Sequence, residues 1–265
     1  MYQPSDTDMY CGGYISDKPP VKGLFVLTGE EGGVKNLYTE RDVVYLSRGA
    51  GYAVNPGAEF ILVRKTIDPN IGVEIFYGQD KMISKLGEVW TEIGRVKVKF
   101  VRESVAIAIV TQACEEVQPG DIAVPLEARP TPSAPMSGLD SFAPPSGKNE
   151  GVIAAGREFQ GAVGAGNTVY LNIGNKEGVQ VGQLYRIYRT YATASNDPNR
   201  KYLDQTPQVF MGMRQSYKLT QKQRSTMPRD IIGEGVVITS HGTSATLLIT
   251  ISAAEIFPGD QVELK

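Results

Sequence analysis

The strongest constraint on the fold of this chain is that its sequence contains the same pattern twice. Residues 42–64 align without a gap on residues 167–189, at an offset of 125, and residues 94–121 align on residues 233–260, at an offset of 139. Because the offsets differ, the second copy carries 14 additional residues between its two blocks. An internal repeat indicates that each copy folds as one structural unit. We therefore expect two homologous modules in tandem.

Each copy places glycine and proline at matching positions where the chain is expected to turn. Gly57 aligns with Gly182, and the Pro-Gly-Asp tripeptide at 119–121 aligns with that at 258–260. In a type II turn, proline supplies the first central φ and glycine supplies the positive φ that follows. We expect structural turns at Gly57, Gly182, Pro119, Gly120, Asp121, Pro258, Gly259 and Asp260.

The segments between these turns have the pattern of β-strands. Residues 96–101 alternate apolar and polar side chains, as a half-buried strand does. Residues 105–110 are continuously apolar, and residues 245–251 are apolar apart from two threonines, which is typical of strands buried on both faces. Helical patterns are limited to residues 79–86 and 252–256. Five or six short strands per copy favour an all-β fold, with a small β-barrel or sandwich in each module.

A proline-rich segment separates the two copies. We expect a first β module at residues 1–127, a Pro-rich linker at 128–149, and a second β module at 150–265. Proline fixes φ and removes backbone donors, so a linker of this composition is extended and stiff. The additional residues of the second copy form a basic extension at 190–232.

The two cysteines bear on the compartment. Cys114 aligns with Ala253, and no cysteine lies near Gly151, where the second copy begins in the same way as the residues after Cys11. The two thiols are therefore absent together from the second copy, as expected for a bonded pair. We predict a Cys11–Cys114 disulfide, with two buried free thiols as the alternative.

The sequence contains no transmembrane segment and no visible leader. No apolar run approaches the ~18–20 residues that span a bilayer. The first residues lack the basic and apolar regions of a secretory signal. Two interpretations remain open: a cytosolic protein, or an exported protein whose leader or upstream segment is not included in this sequence.

Composition argues against most familiar chemistry. With 27 basic and 29 acidic residues, the net charge of −2 argues against a nucleic-acid partner. One histidine and two cysteines are too few for the usual zinc sites. We expect His241 to be an exposed turn residue, and the carboxylates of Asp121 and Asp260 to be turn residues in separate modules. The glycines at 161–166 precede a strand and not a helix, unlike a dinucleotide site. We therefore expect no catalytic residue, no cofactor and no metal.

The extension of the second copy is locally basic. Between residues 199 and 229 there are seven basic side chains and one acidic side chain, with aromatic residues and methionines between them. One interpretation is a contact segment that docks on an acidic surface, such as Glu30, Glu31 and Glu40 of a neighbouring subunit. The alternative is a solvated extension with incidental charge. The candidate partner-contact residues are Arg200, Lys201, Arg214, Lys218, Lys222, Arg224 and Arg229.

Residues 170–189 carry a resemblance to a known family. They combine a short strand, a glycine, the Gly-Val-x-Val-Gly pattern at 178–182 and an aromatic-rich strand that ends at Arg189. This pattern resembles the β modules of bacterial envelope proteins found C-terminal to lysin-motif (LysM) domains. It is also similar to the C-terminal domain of flagellar assembly protein T and to LysM proteins associated with pilus secretins. The first copy departs from the pattern at residues 53–57, and no LysM segment is visible.

The resemblance implies an exported, non-catalytic role, with a periplasmic or extracellular location. We expect a structural or interaction protein of the bacterial cell envelope, either self-assembling or part of a larger envelope machine. Its expected partners are other envelope proteins or copies of itself, with peptidoglycan or an anionic polymer as further candidates. The alternative is a carbohydrate-binding protein that stacks cell-wall glycans on aromatic side chains such as Trp90, Tyr77 or Tyr191.

Overall fold

A computed structural model describes residues 2–21, 23–49, 54–69, 79–133, 138–190 and 220–265. β-Strand is the predominant regular secondary structure, and the described strands form a closed six-stranded barrel and a separate seven-stranded sheet. Within the ranges just given, no helix is both long enough and apolar enough to cross a membrane.

The chain divides into two compact units. The first, here called the sheet unit, comprises Pro4–Thr66 and Glu88–Thr131. The second, here called the barrel unit, comprises Met1–Gln3, Ile67–Gly87 and Pro132–Lys265. Residues 67–87 thus interrupt the sheet unit in sequence but belong to the barrel unit.

The described part of the sheet unit contains one short helix and seven antiparallel strands. The strand order is β2-β3-β6-β5-β4-β7, and β1 pairs separately with β5. An isolated bridge between Phe25 and Ile122 brings the two edge strands, β2 and β7, together. The elements are α1 (Asp6–Tyr10), β1 (Tyr14–Ser16), β2 (Val26–Gly29), β3 (Val43–Leu46), β4 (Glu59–Lys65), β5 (Glu88–Val101), β6 (Ala106–Ala113) and β7 (Ile122–Pro125).

The barrel unit contains two helices and six antiparallel strands among its described residues. The strands close in the order β10-β11-β12-β9-β8-β13. Two 3₁₀ turns, Arg157–Phe159 and Asn175–Glu177, lie in its loops. The other elements are α2 (Gln79–Leu86), β8 (Glu150–Gly156), β9 (Thr168–Leu171), β10 (Leu184–Arg189), α3 (Gln221–Thr226), β11 (Asp230–Ser240), β12 (Ala245–Ser252) and β13 (Gln261–Leu264).

The helix expected at residues 79–86 is present as α2. The helical turn expected at residues 252–256 is wrong. Strand β12 continues through Ser252, and Ile256 pairs with Val163 in an isolated bridge, so the backbone there is committed to cross-strand hydrogen bonds.

Each unit has its own apolar core, which is built from the inward side chains of alternating strand positions. Leu46, Leu62 and Val98 are fully buried in the sheet unit. Leu171 and Tyr185 are fully buried in the barrel unit. The outward side chains of the same strands are therefore the ones available for other contacts.

The proline-rich segment packs against the units at both of its described ends. Arg129, near its start, donates hydrogen bonds within the sheet unit. Leu139 and Ala143 pack against Tyr188 and Ile231 of the barrel unit. The segment is thus held by hydrogen bonds near its start and by apolar packing near its end.

Candidate interaction surface

The disulfide attaches the N-terminal residues to the sheet unit. Cys11 is bonded to Cys114, with 5.6 Å between the two Cα atoms. Helix α1 begins at a capping box, in which Ser5 and Asp8 each accept a hydrogen bond from the other's backbone N–H. Strand β1 then pairs with the start of β5. We call residues 4–16 the N-terminal strap.

A buried carboxylate holds the strap from beneath. Glu92 is only 1% exposed, accepts a hydrogen bond from the backbone N–H of Gly13 at 3.1 Å, and is ion-paired with Arg129. Arg129 also donates to the carbonyl oxygen of Met9 at 2.7 Å and through its backbone N–H to the hydroxyl of Tyr10 at 2.9 Å. Burial, together with the negative charge of Glu92, raises the pKa of Tyr14 to about 12. Arg129 therefore fastens the linker start and the strap to the same buried charge.

Trp90 lies under this strap and not on the surface. It is 1% exposed and packs with Ile61 and Val63, with the partly buried rings of Tyr10 and Tyr14 against the same cluster. A sugar-stacking role for Trp90 is therefore wrong, because a glycan cannot reach its ring. Tyr77 and Tyr191, the other aromatic candidates, lie outside the described residues.

The Pro-Gly-Asp turns are each joined to an arginine of the same unit. Arg64 Nε donates to Asp121 Oδ1 at 2.7 Å, and Arg189 Nε donates to Asp260 Oδ1 at the same distance. In both turns the aspartate also accepts from a backbone N–H three residues earlier, as expected of a carboxylate that closes a tight turn.

The paired aspartates thus serve two separate ion pairs. The interpretation that they are turn residues omits their arginine partners. The sequence does contain a signal for these ion pairs, because Arg64 aligns with Arg189 and Asp121 aligns with Asp260. A pair of opposite charges repeated at matched positions indicates a contact.

Four glycines at the expected turns have the left-handed φ that favours glycine. The angle is 97° at Gly120 and 95° at Gly259. At Gly57 and Gly182 it is 88° and 91°. A side chain at Gly57 would meet no neighbouring atom, so the positive φ itself is what requires glycine there.

Arg229 takes part in an ion network inside the barrel unit. Its guanidinium donates two hydrogen bonds to Glu263, at 2.6 and 2.8 Å, and lies 4.7 Å from the ring centre of Tyr188. Glu263 is completely buried and also accepts from Arg186 and from the backbone N–H of Ser146. Burial acts to raise the pKa of Glu263, but the hydrogen bonds from Arg229 and Ser146 outweigh it, and the net shift is downward.

Of the other six candidate partner-contact residues, the structure describes only Lys222 and Arg224. Lys222 is exposed on α3, and Arg224 lies on the same helix. Thr220 caps this helix, because its hydroxyl accepts from the backbone N–H of Gln223. Arg200, Lys201, Arg214 and Lys218 lie outside the described residues.

An exposed apolar surface surrounds strand β2. Phe25 and Leu27 project from β2 and its start, and Val34 and Leu37 project from the loop that follows. The hydroxyl of Tyr38 lies 3.2 Å from that of Thr28, which folds the loop back onto the strand. Adjacent Glu30 and Glu31 are exposed. We call Phe25, Leu27, Glu30, Glu31, Val34 and Leu37 the β2 surface.

Exposed large apolar side chains in one region are typical of a contact site. Glu40, the third acidic residue suggested for such a site, is also exposed, and its carboxylate accepts from the backbone N–H of Ala113 at 3.4 Å. The β2 surface therefore combines apolar area with negative charge.

His241 lies in the turn between β11 and β12, where it is half-buried and not fully exposed as expected. Its carbonyl oxygen accepts from the backbone N–H of Asn175 at 2.7 Å, and its own N–H donates to Ser244. Among the residues that the structure describes, no group of three or more His, Cys, Asp or Glu side chains is placed to hold a metal ion.

No protein-family model matches the chain, and no curated protein matches it.

Proposed function

We propose that this chain is a non-catalytic structural or interaction protein of the bacterial cell envelope, exported to the periplasm or the cell surface. The observation that carries the proposal is the Cys11–Cys114 disulfide. Disulfides of this structural kind form and persist in oxidising compartments and are rare in reducing ones.

We further propose that the sheet unit and the barrel unit are homologous modules. Their strand orders correspond when β2–β7 are matched in sequence with β8–β13. Equivalent hydrogen bonds support the match: Val26 N–H donates to Asp121 O, and Ile153 N–H donates to Asp260 O, each at 2.9 Å. The Arg64–Asp121 and Arg189–Asp260 pairs add matched side-chain contacts.

The resemblance to LysM-associated envelope modules is consistent with this proposal. Modules of that kind carry structural glycines and apolar positions in place of a catalytic set. The exposed β2 surface supports a role in contacting other proteins or copies of the same chain. The carbohydrate-binding alternative has no comparable support, because its described aromatic candidate is buried.

A thiol-trapping experiment on fractionated cells tests the compartment. Cells expressing the chain with its native upstream sequence are separated into cytoplasmic and envelope fractions, and each fraction is then quenched with acid and treated with a maleimide-polyethylene glycol. We expect the chain in the envelope fraction, with no maleimide shift unless a reductant is added first.

The single variant C114A provides the matched control, because its remaining thiol must shift without reductant. Recovery of the wild-type chain in the cytoplasm with both thiols modified would remove the proposal.

A further inference from the structure

A row of apolar side chains crosses the outer face of the sheet unit. Tyr45 of β3 pairs with Ile107 of β6, and Ile107 pairs with Phe100 of β5. Leu27 of β2 lies at a register shift beside the residue that pairs with Tyr45. Val44, next to Tyr45, is fully buried, and because successive side chains of a strand point to opposite faces, the row faces outward. We call Leu27, Tyr45, Phe100 and Ile107 the outer row.

The outer row is apolar although it is accessible. Phe100 is 61% exposed and Leu27 is 41% exposed, and Tyr45 and Ile107 are half-buried. The outward positions of an antiparallel sheet that faces water are normally polar. Several large apolar side chains that are exposed in one region mark a contact surface. The outer row therefore has the composition of a covered face.

The barrel unit buries the same row. Tyr170 of β9 pairs with Thr246 of β12, and Thr246 pairs with Thr239 of β11. The register shifts just before Thr239, as it shifts just before Phe100. The exposed fraction is 1% for Tyr170 and Thr246 and 7% for Thr239. The sheet unit thus leaves accessible a row that the barrel unit buries, although its own row is the more apolar of the two.

The N-terminal strap covers a different part of the outer face. It packs over outward side chains of β4 and of the start of β5, among them Ile61, Val63 and Trp90. The outer row lies on β2, β3, β6 and the end of β5. Because the row stays exposed in the single chain, a cover for it comes from another molecule.

One corner of this face is acidic. Glu30 and Glu31 directly follow β2, and both are exposed. The loop that they begin, residues 30–42, contains four acidic and two basic side chains. We call Glu30 and Glu31 the acidic corner.

The diagonally opposite corner is basic. Lys99 and Arg102 are exposed at the end of β5, and their two positive charges exceed the one negative charge of the neighbouring Glu103. The registers of the paired strands place the end of β5 level with the start of β2, so this corner lies across the face from the acidic one. We call Lys99 and Arg102 the basic corner.

We propose that the outer row binds the outer row of a second copy of this chain in a two-fold symmetric dimer. In such a contact the same patch lies on both copies, so the patch must be complementary to itself. A two-fold axis in the interface, along the other diagonal of the face, places the acidic corner of each copy opposite the basic corner of its partner. The two sheets then cross at a large angle, as in orthogonal sheet packing.

The charges select this partner and this orientation. Opposite charges that meet across an interface steer association, and like charges that meet disfavour the wrong arrangement. The apolar row between the two corners supplies the area that is removed from water. The inference rests on the interaction role proposed above and names a second copy of the chain as the partner.

A single substitution in the row tests the apolar contact. F100E places a charge in the outer row at a position exposed in the single chain, so the fold tolerates it. The control F142E makes the same change at an exposed phenylalanine of the barrel unit. Circular dichroism and thermal melting verify that both variants fold as wild type does.

Two charge-reversal variants test the orientation. E30K/E31K makes both corners basic, and K99E/R102E makes both corners acidic. Each variant alone sets like charges against each other at both ends of its own dimer. In a 1:1 mixture, however, one copy is basic at both corners and the other is acidic at both, so opposite charges meet at both ends.

Two further variants control for net charge. E127K/E255K and K148E/K176E change the net charge by the same amounts as the two reversal variants do. Their substitutions lie at exposed positions outside the outer row and its corners. They should therefore associate as wild type does.

Size-exclusion chromatography with light scattering, at low salt and on the oxidised chain, measures the outcome. We expect wild type, F142E and both net-charge controls to form dimers. F100E should associate at least about tenfold more weakly, as loss of a central apolar contact produces. Each charge-reversal variant should be monomeric alone, and a mixture of the two should form a 1:1 dimer.

The inference is overturned by a monomeric wild-type chain, by association that persists in folded F100E, or by a mixture of the reversal variants that stays monomeric. Unchanged association of K99E/R102E would also overturn it, because the basic corner then has no part in the contact. The same holds if the net-charge controls lose their association. Because these measurements use purified protein, a failure here leaves the envelope location intact, and a cytoplasmic location leaves the dimer intact.

Discussion

Single ion pairs hold the last turn of each unit in place. The Asp260 carboxylate is almost completely buried and is bound by Arg189 and by the backbone N–H of Phe257. Removing one partner of a buried pair leaves the other charge without compensation, which is more costly than the pair is favourable. The intact pair therefore adds little to the free energy of unfolding, whereas removing one of its partners lowers that free energy strongly.

We expect D260A to lower the free energy of unfolding by about 3 kcal/mol, because the Arg189 guanidinium then loses its carboxylate within the protein. Chemical denaturation at neutral pH measures this change. The matched control is E59A, which breaks the exposed pair between Lys97 and Glu59 and should cost less than about 1 kcal/mol. Equal losses for the two variants would contradict this account.

Glu263 gives the barrel unit a defined acid sensitivity. The folded-state pKa of Glu263 lies below its ordinary value of 4.5, so the unfolded chain binds a proton more readily than the folded chain does. Its stabilising effect is therefore complete above pH 4.5 and is lost as the pH falls through the lower folded-state pKa.

We expect E263Q to be less stable than wild type at pH 7, and the difference to shrink as the pH is lowered below 4.5. Urea denaturation at a series of pH values measures both curves. A difference that stays constant from pH 7 to pH 3 would show that the ionisation of Glu263 does not contribute.

The N-terminal strap is bound to the sheet unit by a covalent bond as well as by packing. The disulfide closes a loop of 103 residues, and loops near 100 residues are stabilised by roughly 4–5 kcal/mol on chain-entropy grounds. The strap also covers Trp90, which is the one tryptophan of the sequence. The fluorescence of Trp90 therefore reports on the strap and on the β4 side chains that pack against the same ring.

We expect C114A to lower the free energy of unfolding by roughly 2–5 kcal/mol, because the unfolded chain is no longer constrained.

R129A, which keeps the disulfide but frees Glu92, should shift the Trp90 emission to longer wavelength as water reaches the ring. Fluorescence-monitored denaturation measures both effects. An R129A emission spectrum identical to wild type would show that the ion pair does not hold the strap.

The sequence predicts the strands of the repeats well, because they combine alternation, apolar runs and turn glycines within a few residues. It predicts α2 but not the strap. Strand β1 has only three residues, too few for any periodicity, and α1 has five. The contacts of Glu92 with Arg129 and of Glu263 with Arg229 join distant residues, and no local pattern pairs them. The Cys11–Cys114 prediction is confirmed, because it was based on the repeat, from whose second copy both cysteines are absent together.

Across the whole molecule, a near-neutral net charge conceals a basic segment at residues 199–229 and the exposed carboxylates of Glu30 and Glu31 on the β2 surface. Exposed charges interact over a Debye length of about 8 Å at physiological ionic strength, so such complementarity is sensitive to salt. Association driven by this segment should therefore weaken as salt is added.

We expect the triple variant K218Q/K222Q/R224Q to associate less tightly than wild type at low salt, and to show a smaller dependence on salt concentration. Sedimentation velocity at two ionic strengths measures this. The control K18Q/K148Q/K176Q removes three exposed lysines outside the basic segment and should leave the association unchanged. Identical behaviour of the two triple variants would exclude the basic segment as a contact.

The position of the disulfide has a mechanical consequence for a protein that is pulled along its chain. Tension applied ahead of Cys11 passes directly through the sulfur–sulfur bond to Cys114, and the 103-residue separation between them carries no load. At about 3.5 Å per extended residue, this shields roughly 350 Å of chain from extension. The chain between the two cysteines should therefore not extend under force, and stretching should be confined to the residues before Cys11 and after Cys114, which include β7.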